Sequence, residues 1–396
     1  YYSRQNVVQT WQVNEMVSEA AQNAALINVY QANGTAVTNS GMTGFNNQWG
    51  GLARDIDAHF TTVAPYIGGN LNAGSWDFDG GIRRESFTSN AVYYGSKQTT
   101  ATVNGQSNAN VYMIDYSKPG YSDYTIGYTN WSLGANFRVT PDTSVFARYS
   151  VGNRAVADRL LYSANINSQT GALAGAGGAS AAVAPVKQAE MGTRMRAKES
   201  WGTYGFAATL FHSTTQEFDY DQTRQDNPNL PNYAGPKLNQ LGYKATGVEF
   251  ESGLTSGNFS LNANLTYSSE EYSQDLGQTS LIGKVPTGVA PWRFVITPRY
   301  QVGNATFGGV VRGVSSSYVD GANTISIPGY AIVNAFVNYN FGDGLTGSLN
   351  VGNLFNTLAM ISGGGSPISG YTGTSGVYGM GVEPGRTIQA SLRYKF

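Results

Sequence analysis

Residues 384–396 read PGRTIQASLRYKF, and from Thr387 onward they alternate strictly. Ile388, Ala390, Leu392, Tyr394 and Phe396 fall on one side, and Thr387, Gln389, Ser391, Arg393 and Lys395 on the other. A period of two marks a strand, not a helix. In a soluble sheet the apolar side would face a core, and such a strand rarely ends the chain. In a membrane barrel the apolar side faces lipid and the polar side faces the lumen.

Composition decides between the two. Only 12% of the 396 residues are charged, and 24 Lys and Arg against 25 Asp and Glu leave a net charge of -1. Soluble proteins carry about 25% charged residues, so this surface is sparse unless much of it never meets water. A helical membrane protein would need runs of about 18 apolar residues, and the sequence has none. The 26 Tyr and 50 Gly, with abundant Asn, Ser and Thr, are what many alternating strands require. The absence of Cys fits an oxidising exterior or envelope. A near-neutral charge without basic clusters argues against nucleic acid as a partner. Neither a signal peptide nor an initiating Met stands at Tyr1, so the chain is expected to be mature, trimmed or a fragment.

The same beat recurs upstream. In NFSLNANLTYS (258–268) Phe259, Leu261, Ala263, Leu265 and Tyr267 alternate with polar residues, and WSLGANFR (131–138) and SWDFDGGIRRE (75–85) repeat it. In AIVNAFVNYNF (331–341) Phe336 breaks the pattern as an inward-facing exception. These segments predict an all-β, antiparallel transmembrane barrel with about fourteen strands. They fall near 1–12, 56–71, 75–89, 127–139, 143–154, 186–198, 201–216, 241–254, 258–272, 289–302, 304–318, 327–341, 345–357 and 385–396. Short turns near 72–75, 140–143, 197–200, 255–258, 302–304 and 341–344 alternate with long polar loops near 13–55, 90–126, 155–185, 217–240, 273–288, 319–326 and 358–384. Barrels of bacterial outer membranes place short turns in the periplasm and long loops outside, which assigns the sidedness. Trp131, Trp201, Trp292 and Tyr394 near strand ends fit interfacial girdles. The low-complexity stretch GALAGAGGASAAVAP (171–185) reads as a flexible surface loop.

No stretch has the makings of an enzyme active site, and no cofactor is implied. With two His and no Cys, a thiolate or Cys/His metal site is impossible. His59 and His212 read as surface imidazoles, with haem or metal ligation as the alternative. Asp219, Asp221 and Asp226 lack the Gly and closing Glu of a calcium loop. Asp77, Asp79, Arg83, Glu85, Arg138, Arg148, Glu190, Arg194, Arg196, Arg293, Arg299 and Arg393 mix both signs on lumen faces. In an open pore they would tune ion selectivity; in a plugged one they would pair with each other and with the plug. Ligand contact is expected in the long loops, at Tyr93, Tyr94, Tyr112, Tyr116, Tyr121 and Tyr124 in 90–126 and at Phe218, Tyr220, Asn229 and Tyr233 in 217–240. Aromatic faces beside amides and hydroxyls suit sugar rings or bulky chelates. The sparse Lys and Arg tilt this towards a neutral oligosaccharide over an anionic ferric siderophore.

Several stretches resemble the C-terminal barrel of TonB-dependent outer-membrane receptors. VGNLFN (351–356) followed by PGRTIQASLRYKF resembles the last two strands of that family. WSLGANFRVTPDTSVFARYSVGNRAVAD (131–158), VKQAEMGTRMR (186–196) and VAPYIGGNLNAGSWDFDGGIRRE (63–85) resemble family segments of the Sphingomonas- and Caulobacter-like type. The resemblance implies a Gram-negative outer-membrane transporter that takes up a scarce glycan or ferric siderophore and is coupled to the TonB complex through a plug domain. It implies that Tyr394 and Phe396 are read by the barrel-assembly machinery. Family barrels have 22 strands and a plugged lumen. On that count residues 1–396 would be the C-terminal part of the barrel, starting near strand nine, with the plug and about eight strands outside this chain. Two alternatives stay open: a passive channel of about fourteen strands, and a barrel that scaffolds a surface assembly or partner lipoprotein. A soluble all-β enzyme is the outlier.

Overall fold

A computed structural model describes residues 1–13, 27–30, 32–34, 52–103, 106–157, 161, 166–173, 182–220, 238–275, 281–364 and 379–396. Nineteen strands are formed among them. The first ten are β1 (Tyr2–Val13), β2 (Leu52–Val63), β3 (Tyr66–Ala73), β4 (Trp76–Val103), β5 (Gln106–Thr140), β6 (Thr143–Ala155), β7 (Val183–Glu199), β8 (Gly202–Tyr220), β9 (Leu238–Ser256) and β10 (Phe259–Asp275). The rest are β11 (Trp292–Val302), β12 (Ala305–Val314), β13 (Ser317–Tyr318), β14 (Ser326–Ile327), β15 (Tyr330–Gly342), β16 (Leu345–Gly352), β17 (Met360–Gly364), β18 (Gly379–Val382) and β19 (Thr387–Tyr394).

One antiparallel sheet runs β1-β2-β4-β5-β6-β7-β8-β9-β10-β11-β12-β15-β16-β19, a path of fourteen strands, with β3 also paired to β4. β2 and β3 occupy a single position in this path, because both pair with β4 on either side of a break at Ala64–Pro65. Proline has no N–H to give to a ladder; its carbonyl accepts from Arg84 N at 3.0 Å and keeps the line. The expected strand 56–71 is therefore one interrupted strand. Among the described residues no ladder joins β19 to β1, so the sheet has two edges.

The register explains the alternation. Phe78, Ala135, Ala147, Met191, Leu210, Val248, Tyr267 and Trp292 are successive cross-strand partners from β4 to β11. One residue along, Asp79, Gly134, Arg148, Glu190, Phe211, Gly247 and Ser268 form the matching row on the opposite face. A one-residue slip would exchange the two faces. Leu133, Met191, Leu210, Leu392 and Ile388 are all more than half exposed on the apolar face, so among the described residues no second layer covers them.

Short turns collect at one rim. At the tightest, Gly342, Asp343 and Gly344 all have positive φ (89°, 47° and 80°). A Cβ on Gly344 would also lie 2.5 Å from the Lys395 carbonyl oxygen, so the turn and the final strand need a glycine there. Aromatic pairs mark two levels of the apolar face. Trp201 with Tyr204 and Tyr394 with Phe396 lie beside the short turns, while Trp131 with Tyr149 and Tyr267 with Trp292 lie further up. From Tyr300 to Trp292 is roughly 26 Å along the strand at about 3.3 Å per residue, the order of the apolar band of an outer-membrane barrel.

The far rim departs from expectation. Residues 90–126 are not a loop: β4 and β5 continue as a hairpin up to the pair Val103 and Gln106. Likewise β8 and β9 extend to the pair Tyr220 and Leu238, and 358–384 contains the hairpin β17–β18. In the low-complexity stretch, Gly171, Leu173 and Ala182–Pro185 are placed: Ile166 bridges Leu173 and β7 begins at Val183, so these residues are not a free surface loop. Residues 174–181 lie outside the described residues.

Candidate functional site: the polar face and the long hairpins

On the polar face the charges pair across strands. Arg148 Nη2 donates to Asp79 Oδ2 at 2.5 Å, and Arg148 Nε lies 3.9 Å from Glu190. Asp77 with Arg138 (3.5 Å) and Glu270 with Arg293 (3.4 Å) follow the same pattern, while Arg83 pairs along β4 itself with Glu85 (3.2 Å). Glu85 is buried and also accepts from Tyr128 and Asn130. Arg194 instead lies over the Phe146 ring at 4.4 Å. Residues of one sign therefore sit opposite the other, and no single-sign ring forms among the described residues.

Aromatic rings on this face lie over glycines of the next strand. A Cβ on Gly192 would meet Phe146 at 2.9 Å, on Gly247 Phe211 at 2.6 Å, and on Gly308 Phe336 at 2.3 Å. Phe336, the exception in its strand, is thus accommodated by Gly308, its cross-strand partner. Near the short turns, Arg194, Arg196, Glu251, Asn262 and Asn264 line a polar recess of about 510 Å³.

The long β4–β5 hairpin divides the expected tyrosines between its two faces. Tyr93 and Tyr124 point to the polar-face side but are buried, in a cluster with Ile56, Phe87, Ile126 and Val156. Burial pushes the Tyr93 hydroxyl up to about 12. Tyr94, Tyr116 and Tyr121 stand on the opposite side. The Tyr94 and Tyr116 rings are 5.0 Å apart, and Tyr116 donates to Asp55 Oδ2 at 3.1 Å while Thr10 donates to Oδ1 at 2.9 Å. These five tyrosines are therefore divided between two faces. Tyr112, Phe218 and Tyr220 are placed in strands by their ladders; Asn229 and Tyr233 lie outside the described residues, as do Asp221 and Asp226.

Covering the hairpin is a segment with no apolar beat of its own. Beyond Trp131, β6 turns away and leaves an edge of β5 unpaired, and residues 166–173 take its place. Tyr121 N donates to Ser168 O and Asp123 N to Gly171 O, both at 2.8 Å. Asn167 folds the segment by accepting from Gln169 N and Thr170 N. A bare edge is thereby removed. Elsewhere at this rim Asp320 is partly desolvated, which would raise its pKa. The N–H groups of Ile325 and Thr324 more than offset this and hold the carboxyl below its usual range.

His59 pairs with Asn6 at 2.8 Å and His212 with Thr246 at 2.7 Å. No group of three or more His, Cys, Asp or Glu among the described residues has a metal-holding arrangement.

Sequence reading assigned no role to Asn353, which the fold makes central. It is buried with φ at 47°. Its amide donates to Thr357 O at 2.9 Å and Pro384 O at 3.1 Å, and its Oδ1 accepts from Thr357 N at 2.8 Å. Asn334 Oδ1 accepts from Asn353 N, and Asn356 Oδ1 accepts from Arg386 N. The two asparagines of GNLFN thus fasten β15 and β16 to the approach of β19.

A two-faced antiparallel wall, apolar outside and ion-paired on the polar side, with tight turns at one rim and long hairpins at the other, is that of a membrane β-barrel. The chain belongs to the TonB-dependent receptor-like β-barrel family, whose model matches residues 3–354. The final strand lies beyond that match. No curated relative matches the sequence. Among solved structures it is similar to the ferric yersiniabactin uptake receptor FyuA from Yersinia pestis (18% identity, TM-score 0.62, covering 87% of this chain and 47% of that one). It is also similar to the siderophore receptor PiuA from Acinetobacter baumannii (15%, TM-score 0.64, 99% and 52%). A third is the ferric-catecholate import receptor Fiu from E. coli K12 (16%, TM-score 0.64, 100% and 54%). At these identities the likeness is one of fold. The chain spans about half the length of these receptors.

Proposed function

We propose that this chain is the C-terminal part of the barrel of a TonB-dependent receptor in the outer membrane of a Gram-negative bacterium. It would import a scarce, bulky nutrient, either a ferric siderophore or an oligosaccharide, without making or breaking a bond in it. The supporting observation is the fourteen-strand path whose ends are unpaired among the described residues. Unpaired edges are not tolerated in lipid, so further strands would close the wall. A plug and the remaining strands would come from parts of the protein outside this chain, and the TonB complex would act on that plug.

In this reading the ion pairs of the polar face hold a neutral, hydrated lumen wall, while the paired hairpins carry ligand contacts at their tips and exposed flanks. Tyr112, Tyr116, Tyr121, Phe218, Tyr220, Asn229 and Tyr233 are the proposed contacts there. Tyr93 and Tyr124 are better explained as core. Tyr394 and Phe396 would serve the barrel-assembly machinery. The Sphingomonas- and Caulobacter-like type rests on the quoted stretches alone, and a surface lipoprotein is the further partner proposed.

The test is uptake by cells carrying the intact gene, in the presence and absence of TonB, with ferric siderophores and oligosaccharides supplied as sole iron or carbon sources. TonB-dependent growth on one class supports the reading and names the ligand. Uptake that persists without TonB would instead favour the passive channel.

A further inference from the structure

The apolar face is not uniformly convex. Two adjoining hollows of about 820 Å³ and about 580 Å³ share Ala135, Ala147, Met191 and Leu210. The first reaches Leu133, Tyr149 and His212 towards the long-hairpin rim, and the second reaches Trp76 and Phe137 towards the short turns. The floor is made by Ala135, Ala147 and Ala189, and the walls by Phe78, Leu133 and Leu210. Ala135 and Ala147 are in register on β5 and β6, with Met191 level with them on β7, and Ala189 lies one same-face position above Met191, level with Tyr149. These small side chains among larger neighbours such as Phe78 and Leu210 produce the groove.

Its dimensions suit a single hydrocarbon chain. From Leu133 to Phe137 the groove follows β5 for about 13 Å at 3.3 Å per residue, against about 15 Å for half of a 30 Å hydrocarbon layer. The exposed lining is almost wholly apolar.

The upper mouth is cationic. Lys187 is the next residue above Ala189 on the same face, in register with Val151 and Thr214, and it is exposed. Lys244, two strands over, is engaged by Glu271 at 2.6 Å, whereas no ion pair to Lys187 is formed among the described residues. Arg84, three strands to the other side, is exposed on this face too, and its guanidinium donates to the Thr129 hydroxyl at 3.0 Å with no ion pair among the described residues. Trp131 and Tyr149 stand between them, their rings tilted against each other with centroids 5.5 Å apart, in the position of an interfacial belt.

We propose that this groove seats one acyl chain of an outer-leaflet lipid whose phosphorylated head group rests on Lys187, with Arg84 at the far side of the head group. The apolar trough fixes the chain and the unpaired lysine selects an anionic head over a zwitterionic one. The proposal rests on the outer-membrane reading above, since only that sidedness places the mouth in the outer leaflet.

The test uses the intact, detergent-purified protein and native mass spectrometry with two probes, diphosphoryl lipid A and phosphatidylethanolamine. The variants are Lys187→Gln, which keeps the stem and removes the charge, and Ala147→Phe, which fills the floor. Heat-modifiable gel migration reports folding independently. The wild type is expected to retain lipid A in preference to phosphatidylethanolamine. K187Q should lose about fivefold of that preference, the effect of one basic residue at an anionic surface, and A147F should lose the bound chain with either lipid. Equal retention of the two lipids by the wild type, or a K187Q variant that behaves as wild type, overturns the proposal. A doubled protein mass in place of bound lipid would also overturn it, by making the groove an interface between copies. A protein that stays soluble without detergent would sink the membrane reading itself, a different result from failed lipid selection.

Discussion

Replacing Asn353 by Ala removes three side-chain hydrogen bonds at a site that is only 3% exposed. At about 1 kcal/mol each they contribute about 3 kcal/mol. The backbone there has φ at 47°, a region that costs an alanine about 1 kcal/mol more than an asparagine. The expected loss is therefore about 4 kcal/mol, concentrated where β19 is approached through Pro384. Asn353→Gly separates the two contributions, because glycine relieves the φ strain while losing the same bonds, and it should be less damaging than N353A by about 1 kcal/mol. The assay is urea unfolding of the intact protein in detergent, followed by the heat-modifiable band, which reads the closed barrel directly. A loss in N353A below about 0.5 kcal/mol would refute the clamp. So would N353G being the worse of the two, since that would mean the positive φ carries no cost.

Three further outcomes follow from the geometry. Gly308→Ala should destabilise by about 1–3 kcal/mol through overpacking against Phe336, and adding Phe336→Leu should recover most of it; equal loss in the single and double variants would rule out the ring as the cause. Arg148→Met should be worse than Asp79→Asn, because it leaves both Asp79 and Glu190 without their cation. Half-exposed pairs of this kind are worth about 1 kcal/mol, and the gap between the two variants should shrink in 1 M salt, read from the same unfolding midpoint. Tyr93, held protonated by burial up to about 12, has a raised folded-state pKa. Its contribution to stability is whole below the ordinary tyrosine value of about 10 and is lost as pH rises towards 12. Subtracting the ultraviolet titration of Tyr93→Phe from that of the wild type should isolate one step near 12, and a step near 10 would contradict the burial.

The lower part of the wall was legible in the sequence because one side of each strand faces an apolar surrounding and the other faces water. Leu261, Ala263 and Leu265 against Asn262 and Asn264 write that contrast into the chain. Above the belt it fades. Residues 96–103 pair with 106–114 in a ladder with a register shift between Thr99 and Ala101, but no apolar alternation runs through SKQTTATVNGQSNANVYMI, which therefore reads as a loop. The division of Tyr93 from Tyr94 follows from parity along β4 and was readable once the strand was known to continue. The docking of residues 166–173 on β5 was not, because it depends on backbone hydrogen bonds to an edge that exists only where β6 turns away. Asn353 was visible only as part of a motif; its role needs the positive φ and the proximity of Pro384, 31 residues on.

The most direct test of the membrane wall uses the absence of cysteine in this chain. Single cysteines at Leu261, Asn262, Ala263, Asn264 and Leu265 of β10, introduced one at a time into the intact protein in cells, are probed with a water-soluble thiol reagent and with a lipid-phase one. The account predicts strict alternation, with 262 and 264 reached from water and 261, 263 and 265 reached from lipid. Uniform labelling by the aqueous reagent along the strand, or protection of the odd positions from both reagents, would contradict it and return the chain to a soluble or two-layered sheet.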